Sequence, residues 1–480
     1  MRYNRILGTG LATITFFAAA FAEANVTLKQ LSTDPFTNPS SQHKTQVEPD
    51  TFAYGKTIVS AFQVGRFVNG GGSSGIGWAT STDGGKTWKR GFLPGITKYK
   101  GNGPYDRATD PSVAYDPKRG VWLISSLGFF KPPSLLGAVV VSRSEDGIHW
   151  SNPKVVEAES GQDKNWTACD TSATSPYYGN CYTQWDNFSD RGRIKMSTSK
   201  DGGLTWSAAA ETANRATGIG GQPVVNRQGV VTVPIANANI SAILAFNSTD
   251  GGATWSATQK VASVIDHQVS GGLRYAALPS AEIDRKGRVY VVWSDCRFRK
   301  GCSSNDIVMS TLRNGTWSPV VRIPIDPIKS GVDHFIPGIA VDRQSGGTQP
   351  AHIVLTYYYY PVANCTTNCK LNVGAISSTD GGTTWSKPTQ LAGPMELSWL
   401  ADTSLGRMVG DYISGSFVDG TVRSVFAVAN APKGGVFDEA MYTTATGLVR
   451  ASGGRVPVAN DPVQASVGDR RVSTGPLNIR

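Results

Sequence analysis

Seven stretches of the chain place charged and hydrogen-bonding side chains just ahead of an alternating apolar run. These residues are His43, Gln46, Glu48 and Asp50; Asp106, Arg107 and Asp110; Asp163, Lys164 and Asn165; Gln222; Arg274 and Tyr275; Asp333 and His334; and Arg407, Asp411 and Tyr412. Arg107, Arg274 and Arg407 hold equivalent places in three of the stretches. Guanidinium forks grip carboxylates in a planar, bidentate way, so the trio predicts a clamp on an acidic ligand. His43, Gln46, Lys164 and Gln222 join it as candidate binding residues. Bond cleavage needs a positioned acid and base; Glu48, Asp50, Asp110, Asp411, Tyr275, Tyr412 and His334 are the candidates. The competing reading is structural: the arginines tie neighbouring elements together by pairing with Asp50, Asp110 or Asp411.

The elements behind these residues read as hairpins. Each run begins with a proline or a polar residue, alternates as a strand, turns at Asp or Asn with Gly, and continues as a second strand. Examples are EPDTFAYGKTIVSAF (48–62), DPSVAYDPKRGVWLIS (110–125), QPVVNRQGVVTVPI (222–235) and LPSAEIDRKGRVYVVW (278–293). A looser copy is SPYYGNCYTQW (175–185); further copies start at Ile336 and, without the proline, at Gly410.

After most of these hairpins comes a second pattern: Ser, then Asp-x-Gly, then Thr-Trp or a close variant. It occurs as STDGGKTW (81–88), SEDGIHW (144–150), STSKDGGLTW (197–206), STDGGATW (248–255) and STDGGTTW (378–385), with a degenerate copy, STLRNGTW (310–317). Self-similarity at this period marks a propeller or an array. The motif's own chemistry is structural: the carboxylate accepts backbone N–H groups, the glycines supply positive φ, and the Trp buries a large area.

Two hairpins per unit make a four-stranded blade. The expected fold is therefore all-β, a β-propeller of four-stranded blades over residues 23–450, seven-bladed by hairpin count, with six blades as the alternative. VTLKQLS (26–32) is placed to pair in the last blade and close the ring, and AMYTTATGL (440–448) to supply that blade's third strand. Residues 451–480 read as a polar tail.

Arg2 and Arg5, an apolar stretch and Ala20-Phe21-Ala22 read as a secretory leader over residues 1–22. Nothing else approaches the roughly 20 apolar residues of a membrane span. Export fits the six cysteines, whose close spacing makes Cys169/Cys181, Cys296/Cys302 and Cys365/Cys369 the simplest pairs. Asn-x-Ser/Thr sequons occur at Asn25, Asn165, Asn187, Asn239, Asn247, Asn314 and Asn364. The formal charge is +10, two units of it from the leader arginines, which suits an acidic partner. There is no Lys/Arg run of nucleic-acid type, no metal-ligand cluster and no calcium loop. A secreted monomer acting on carbohydrate without a cofactor is expected.

The Ser/Asp/Trp motifs resemble the Asp-box (BNR) repeats of sialidases and related secreted glycosidases, across roughly residues 75–390. The resemblance implies the propeller; it does not imply one activity, because such repeats also occur in non-enzymatic proteins. The chain departs from sialidases in two ways. It has no Arg-Ile-Pro in its first blade, the only such string being Arg322-Ile323-Pro324, and its hairpins count to seven where sialidases have six blades. The resemblance implies an exo-acting glycoside hydrolase on an acidic sugar terminus: Tyr275 or Tyr412 would attack, with Glu48 or Asp411 as base and Asp50 or Asp110 as acid. A polysaccharide lyase on uronates, with His43, His334 or a Tyr as base, and a non-catalytic glycan-binding propeller stay open.

Overall fold

A computed structural model describes residues 26–132, 134 and 136–448, and the backbone of Val456–Pro457. The expected leader (1–22) and, apart from that strand, the tail (451–480) lie outside the described residues. The fold is all-β, with three single-turn 3-10 segments among the described residues.

The strands fall into seven successive antiparallel groups. The first runs Gln46–Tyr54, Thr57–Arg66, Ser73–Ser81 and Lys89–Phe92; the second runs Arg107–Asp116, Val121–Phe129, Leu136–Ser144 and Lys154–Ser160. One residue pair, Ser73 with Ala108, joins these two into a single sheet. Further groups begin at Gln162, Gly218, Ser280, Asp333 and Ser414. In the last group the outermost position is taken by Leu28–Gln30, which pairs antiparallel with Val436–Thr444. That is the pairing expected of VTLKQLS, and Val436–Thr444 is the third strand expected near residue 440. The first strands of consecutive groups lie side by side, and Gln46–Tyr54 also neighbours Ser414–Val418. Thr51 Oγ1 and Ser416 Oγ meet there at 2.7 Å.

The Ser-x-Asp turns are local hydrogen-bond devices. In the first, Ser81 Oγ donates to Asp83 Oδ1 at 2.8 Å, Gly85 N to Ser81 Oγ at 2.7 Å and Thr87 Oγ1 to Asp83 Oδ2 at 2.6 Å, while Trp88 Nε1 donates to Gly85 O at 3.1 Å. The Ser and Thr bonds recur around Asp201, Asp250 and Asp380, and the Trp bond recurs at Trp385. Each turn packs on the preceding group. Gly382 has φ 86°, and a Cβ there would come within 2.6 Å of Met309 Cε; its Trp385 is buried in a core shared with Tyr290 and Val292. The first turn packs on the seventh group, where Arg423 Nε donates to Gly84 O at 3.3 Å. In the degenerate copy, Asn314 and Gly315 instead make a direct two-residue hairpin turn, with φ 49° and 80°.

Two sequence expectations are corrected. The third hairpin is Gln162–Cys169 with Cys181–Asn187, so the stretch 175–185 is its connecting loop and second strand, not a whole copy. Asn165 and Asn187 are buried, which leaves no room for a glycan on either. The three local disulfides are formed: Cys169–Cys181, Cys296–Cys302 and Cys365–Cys369. Among the described residues no helix is long and apolar enough to cross a membrane.

Candidate functional site

Four first strands carry the same irregularity. Between Val47 and Asp50, Thr109 and Ser112, Asp163 and Trp166, and Phe335 and Gly338, three residues of one strand span two of its partner. These are β-bulges, each with a residue at positive φ: Glu48 (55°), Asp110 (49°), Lys164 (48°) and Ile336 (49°). Pro49, Pro111 and Pro337 follow three of them. Proline has no N–H to lose where the ladder is interrupted, so the repeated proline is the bulge itself. A left-handed non-glycine residue costs roughly 1–3 kcal/mol. Here the bulges bring Glu48, Asp110 and Lys164, from three different groups, to one point.

Lys164 Nζ lies 2.7 Å from Asp411 Oδ2, 3.1 Å from Asp110 Oδ1 and 3.5 Å from Glu48 Oε1. Arg274 forks onto Asp411, with Nε to Oδ1 at 2.8 Å and Nη2 on the other oxygen. Asp411 N donates to Glu48 Oε1 at 3.2 Å, and Gln63 Nε2 donates to the other Glu48 oxygen. Asp163 lies with Asp110 on the floor of one cleft, and Asp186 stands opposite Asp163 across the hairpin.

Burial sets the protonation of this cluster, and the cations divide it. Desolvation raises Glu48 to about 7 and Asp110 to about 6 against the pull of Lys164. It also raises Asp163, and it raises Asp186 well above the usual carboxylate range with help from Asp163. Asp411 is the exception: burial opposes its charge, but Arg274 and Lys164 outweigh burial and hold it low. Burial likewise opposes charge on Lys164, and Asp110, Asp411 and Glu48 overcome it. The Asp163 charge also raises Asp110, so the two neighbouring carboxyls titrate as a pair.

A cleft opens over the cluster. Its floor is Asp110, Asp163, Lys164, Arg274 and Arg66; its walls are the Gly70–Gly72 loop, Phe129, Phe130, Pro132 and Phe188. Phe130 and Phe188 are 36% and 37% exposed, and such rings stack on the C–H face of a sugar. Arg66 is buried; it donates to Gly72 O at 2.6 Å and sits against Met408 Sδ at 3.3 Å, with no carboxylate ion pair among the described residues. Burial lowers it to about 10.

Of the residues expected from sequence, Glu48, Asp110, Lys164, Arg274 and Asp411 come together. Tyr412 lies beneath them, its hydroxyl donating to Pro111 O at 3.4 Å and its ring edge-on to Trp166; it does not line the cleft. Asp50 points along the axis away from the cleft and accepts from Val113 N at 2.7 Å. The arginine clamp is not assembled. Arg107 lies over Phe67 at 4.2 Å and donates to Gly71 O, bracing the glycine loop; Arg407 donates to Leu400 O. Tyr275 is half-buried and packs edge-on to Phe335, and His334 lies in a separate network with Asp306, Asp326, Arg299 and Arg322. His334, Asp306 and Asp326 are close enough to share a cation, but Arg299 pairs with both acids and so does Arg322, so their charge is met within the protein. This also gives Arg322-Ile323-Pro324 its role, which is structural. His43 sits 3.7 Å from Asp34, Gln46 accepts from Ser32 Oγ, and Gln222 accepts from Ala281 N at 3.0 Å; all three hold elements together outside the cleft.

Sequence reasoning missed Arg66, Asp186 and the phenylalanine walls. The available signal was a charged residue ending a buried strand: Arg66 beside a glycine triplet, and Asp186 after Trp185.

No family model matches the chain, and no curated protein does. Solved structures do. An ulvan lyase described as a new family of polysaccharide lyase aligns with a TM-score of 0.50 at 10% identity, over 87% of this chain and 96% of its own. A Hadza microbial sialidase aligns at 0.43 and 17%, over 66% and 64% of the two chains, and a sialidase from Streptococcus pneumoniae at 0.41 and 13%, over 86% and 70%. The first likeness extends to the fold and no further.

Proposed function

We propose that this chain is a closed, seven-bladed β-propeller exported from the cell, and that it hydrolyses a glycosidic bond at an acidic sugar terminus held in the cleft. The seven successive groups of four or five strands, the contact of the first group with the seventh and the pairing of Leu28–Gln30 support the ring. The three disulfides support the location.

The chemistry rests on one observation: Asp110 and Asp163 lie together at the floor of an aromatic-walled cleft, beside a buried arginine, and burial raises both carboxyls. A proton held by this pair passes to the glycosidic oxygen as the C–O bond breaks. Water adds to the anomeric carbon, and its proton returns to the pair, so atoms and charge balance. Arg66 meets the sugar carboxylate, while Lys164 and Arg274 keep Asp411 ionised and the floor in register. Tyr412 and Tyr275 lie outside the cleft, so a tyrosine nucleophile is not part of this proposal. The lyase reading keeps the arginine and loses the histidine bases, because His43 and His334 stand elsewhere.

The test is to incubate the protein with sialosides, uronate-containing gums and arabinans. Reducing sugar without an ultraviolet-absorbing product is expected, and Asp110→Asn or Asp163→Asn should lower kcat by about 10²–10⁴. An unsaturated, ultraviolet-absorbing product would replace the hydrolase by a lyase; no product on any glycan would leave a binding protein.

A further inference from the structure

The axis behind the cleft is hollow in steps. A small cavity bounded by Lys164, Trp166, Gln222 and Tyr412 shares Lys164 with the cleft. A chamber of about 40 Å³ shares Trp166 and Gln222 with that cavity and is walled by Thr51, Thr167, Ser280 and Ser414, with Asp50. The chamber in turn shares Phe52, Glu282 and Arg343 with a wide mouth. That mouth is edged by the turns at Tyr54–Gly55, Asp342–Gln344 and Asp419–Gly420, which follow the strands Gln46–Tyr54, Asp333–Val341 and Ser414–Val418.

The chamber's polar side chains are hydroxyls, Gln222, Arg343 and the carboxyls of Asp50 and Glu282, set among apolar ones. Water occupies buried space when it finds about two to four polar partners, and this chamber offers them along its length. The small cavity before it is bounded by the Trp166 ring, which packs edge-on to Tyr412 with centroids 5.0 Å apart.

We infer that the axis is a conduit that brings the co-substrate water to the Asp110–Asp163 pair from the opposite face. The inference rests on the hydrolase reading. Hydrolysis consumes one water per bond, and a sugar seated against Phe129, Phe130 and Phe188 covers the open side of the cleft. Lys164, common to cleft and cavity, stands where the conduit delivers.

All six native cysteines are in disulfides, so Ser414→Cys places the sole thiol in the chamber. The conduit requires that methyl methanethiosulfonate label this thiol in the folded protein, and that Ala168→Phe at the chamber wall slow the labelling several-fold. The same plug, and Ser414→Phe as an independent one, should lower kcat several-fold with KM unchanged and the thermal midpoint retained. A thiol that does not react overturns the conduit. So does a thiol that reacts while both folded plugs leave kcat intact; where both plugs unfold, an unreactive Ser414→Cys decides against it and a reactive one in its favour. A native protein inactive on every glycan overturns the hydrolase and, with it, the supply role, even if the thiol is labelled.

Discussion

Three carboxylates crowd one ammonium at the axis, and their unequal partners decide what each can do. Asp411 has Lys164 and the Arg274 fork and stays charged; Asp110 has Lys164 alone, with the Asp163 charge beside it. Desolvation puts Asp110 at about 6, so the acid form needed for leaving-group protonation is lost above that pH. The kcat/KM profile should therefore fall as pH rises through about 6, and Asp163→Asn should displace that limb; a profile flat from acid to pH 8 would refute the assignment. Asp50 makes a different prediction. It is buried and raised to about 7 from an ordinary 3.8. The native state thus keeps a proton that the unfolded chain releases, so this contribution is fully present below about pH 4 and fades as pH rises through 7. The swing is at most about 4 kcal/mol. Thermal midpoints of Asp50→Asn, measured between pH 4 and 8, should show a flatter decline than the native protein, and parallel curves would argue against a protonated Asp50.

The Ser-x-Asp turns and the bulged strands divide the labour between them. The turns face outward and rivet one group to the previous one: Asp380 accepts from Thr384 N at 2.8 Å and from Ser378 Oγ at 2.9 Å, behind the buried Trp385. Asp380→Ala should cost about 1–3 kcal/mol in denaturant unfolding and leave kcat unchanged; a loss of activity at full stability would contradict a purely structural turn. Both element types were legible in sequence, since Gly, Asp and Trp at fixed offsets leave few other conformations. The site was half legible. Glu48, Asp110 and Lys164 could be placed because each sits at the same offset in its hairpin. Their aim could not, because one extra residue in a strand reverses which side faces the axis. Arg107 shows the cost of that: it occupies the expected rim but lies at the outer end of its strand, where Phe67 and the glycine-loop carbonyls capture it. Arg66 was invisible for the converse reason. It ends the second strand of a hairpin, and only the tertiary fold brings that end over the floor.

For the whole molecule, the question is what keeps the first and seventh groups together. The proposed ring of sheets has no edge to protect, but it asks the chain to hold its first and seventh groups together without a covalent bond. Two devices meet at this seam. The first Ser-x-Asp turn lies on Arg423, which also donates to Thr444 O at 2.9 Å. Leu28–Gln30 completes the seventh group, with Leu31 buried in the core shared by the first, sixth and seventh groups. Burying a leucine stabilises by roughly 1.5–3 kcal/mol, and the strand adds its ladder bonds. The Glu48–Asp411 contact spans this same seam, so opening it would disturb the acid cluster before the distant groups. Removing residues 26–32 should lower the thermal midpoint and unmask fast amide exchange first in Val436–Thr444 and Gln46–Tyr54, with activity lost at temperatures where the other five groups stay protected. If exchange rose evenly across all seven groups, the seam would be no weaker than the rest, and closure by this strand would be wrong.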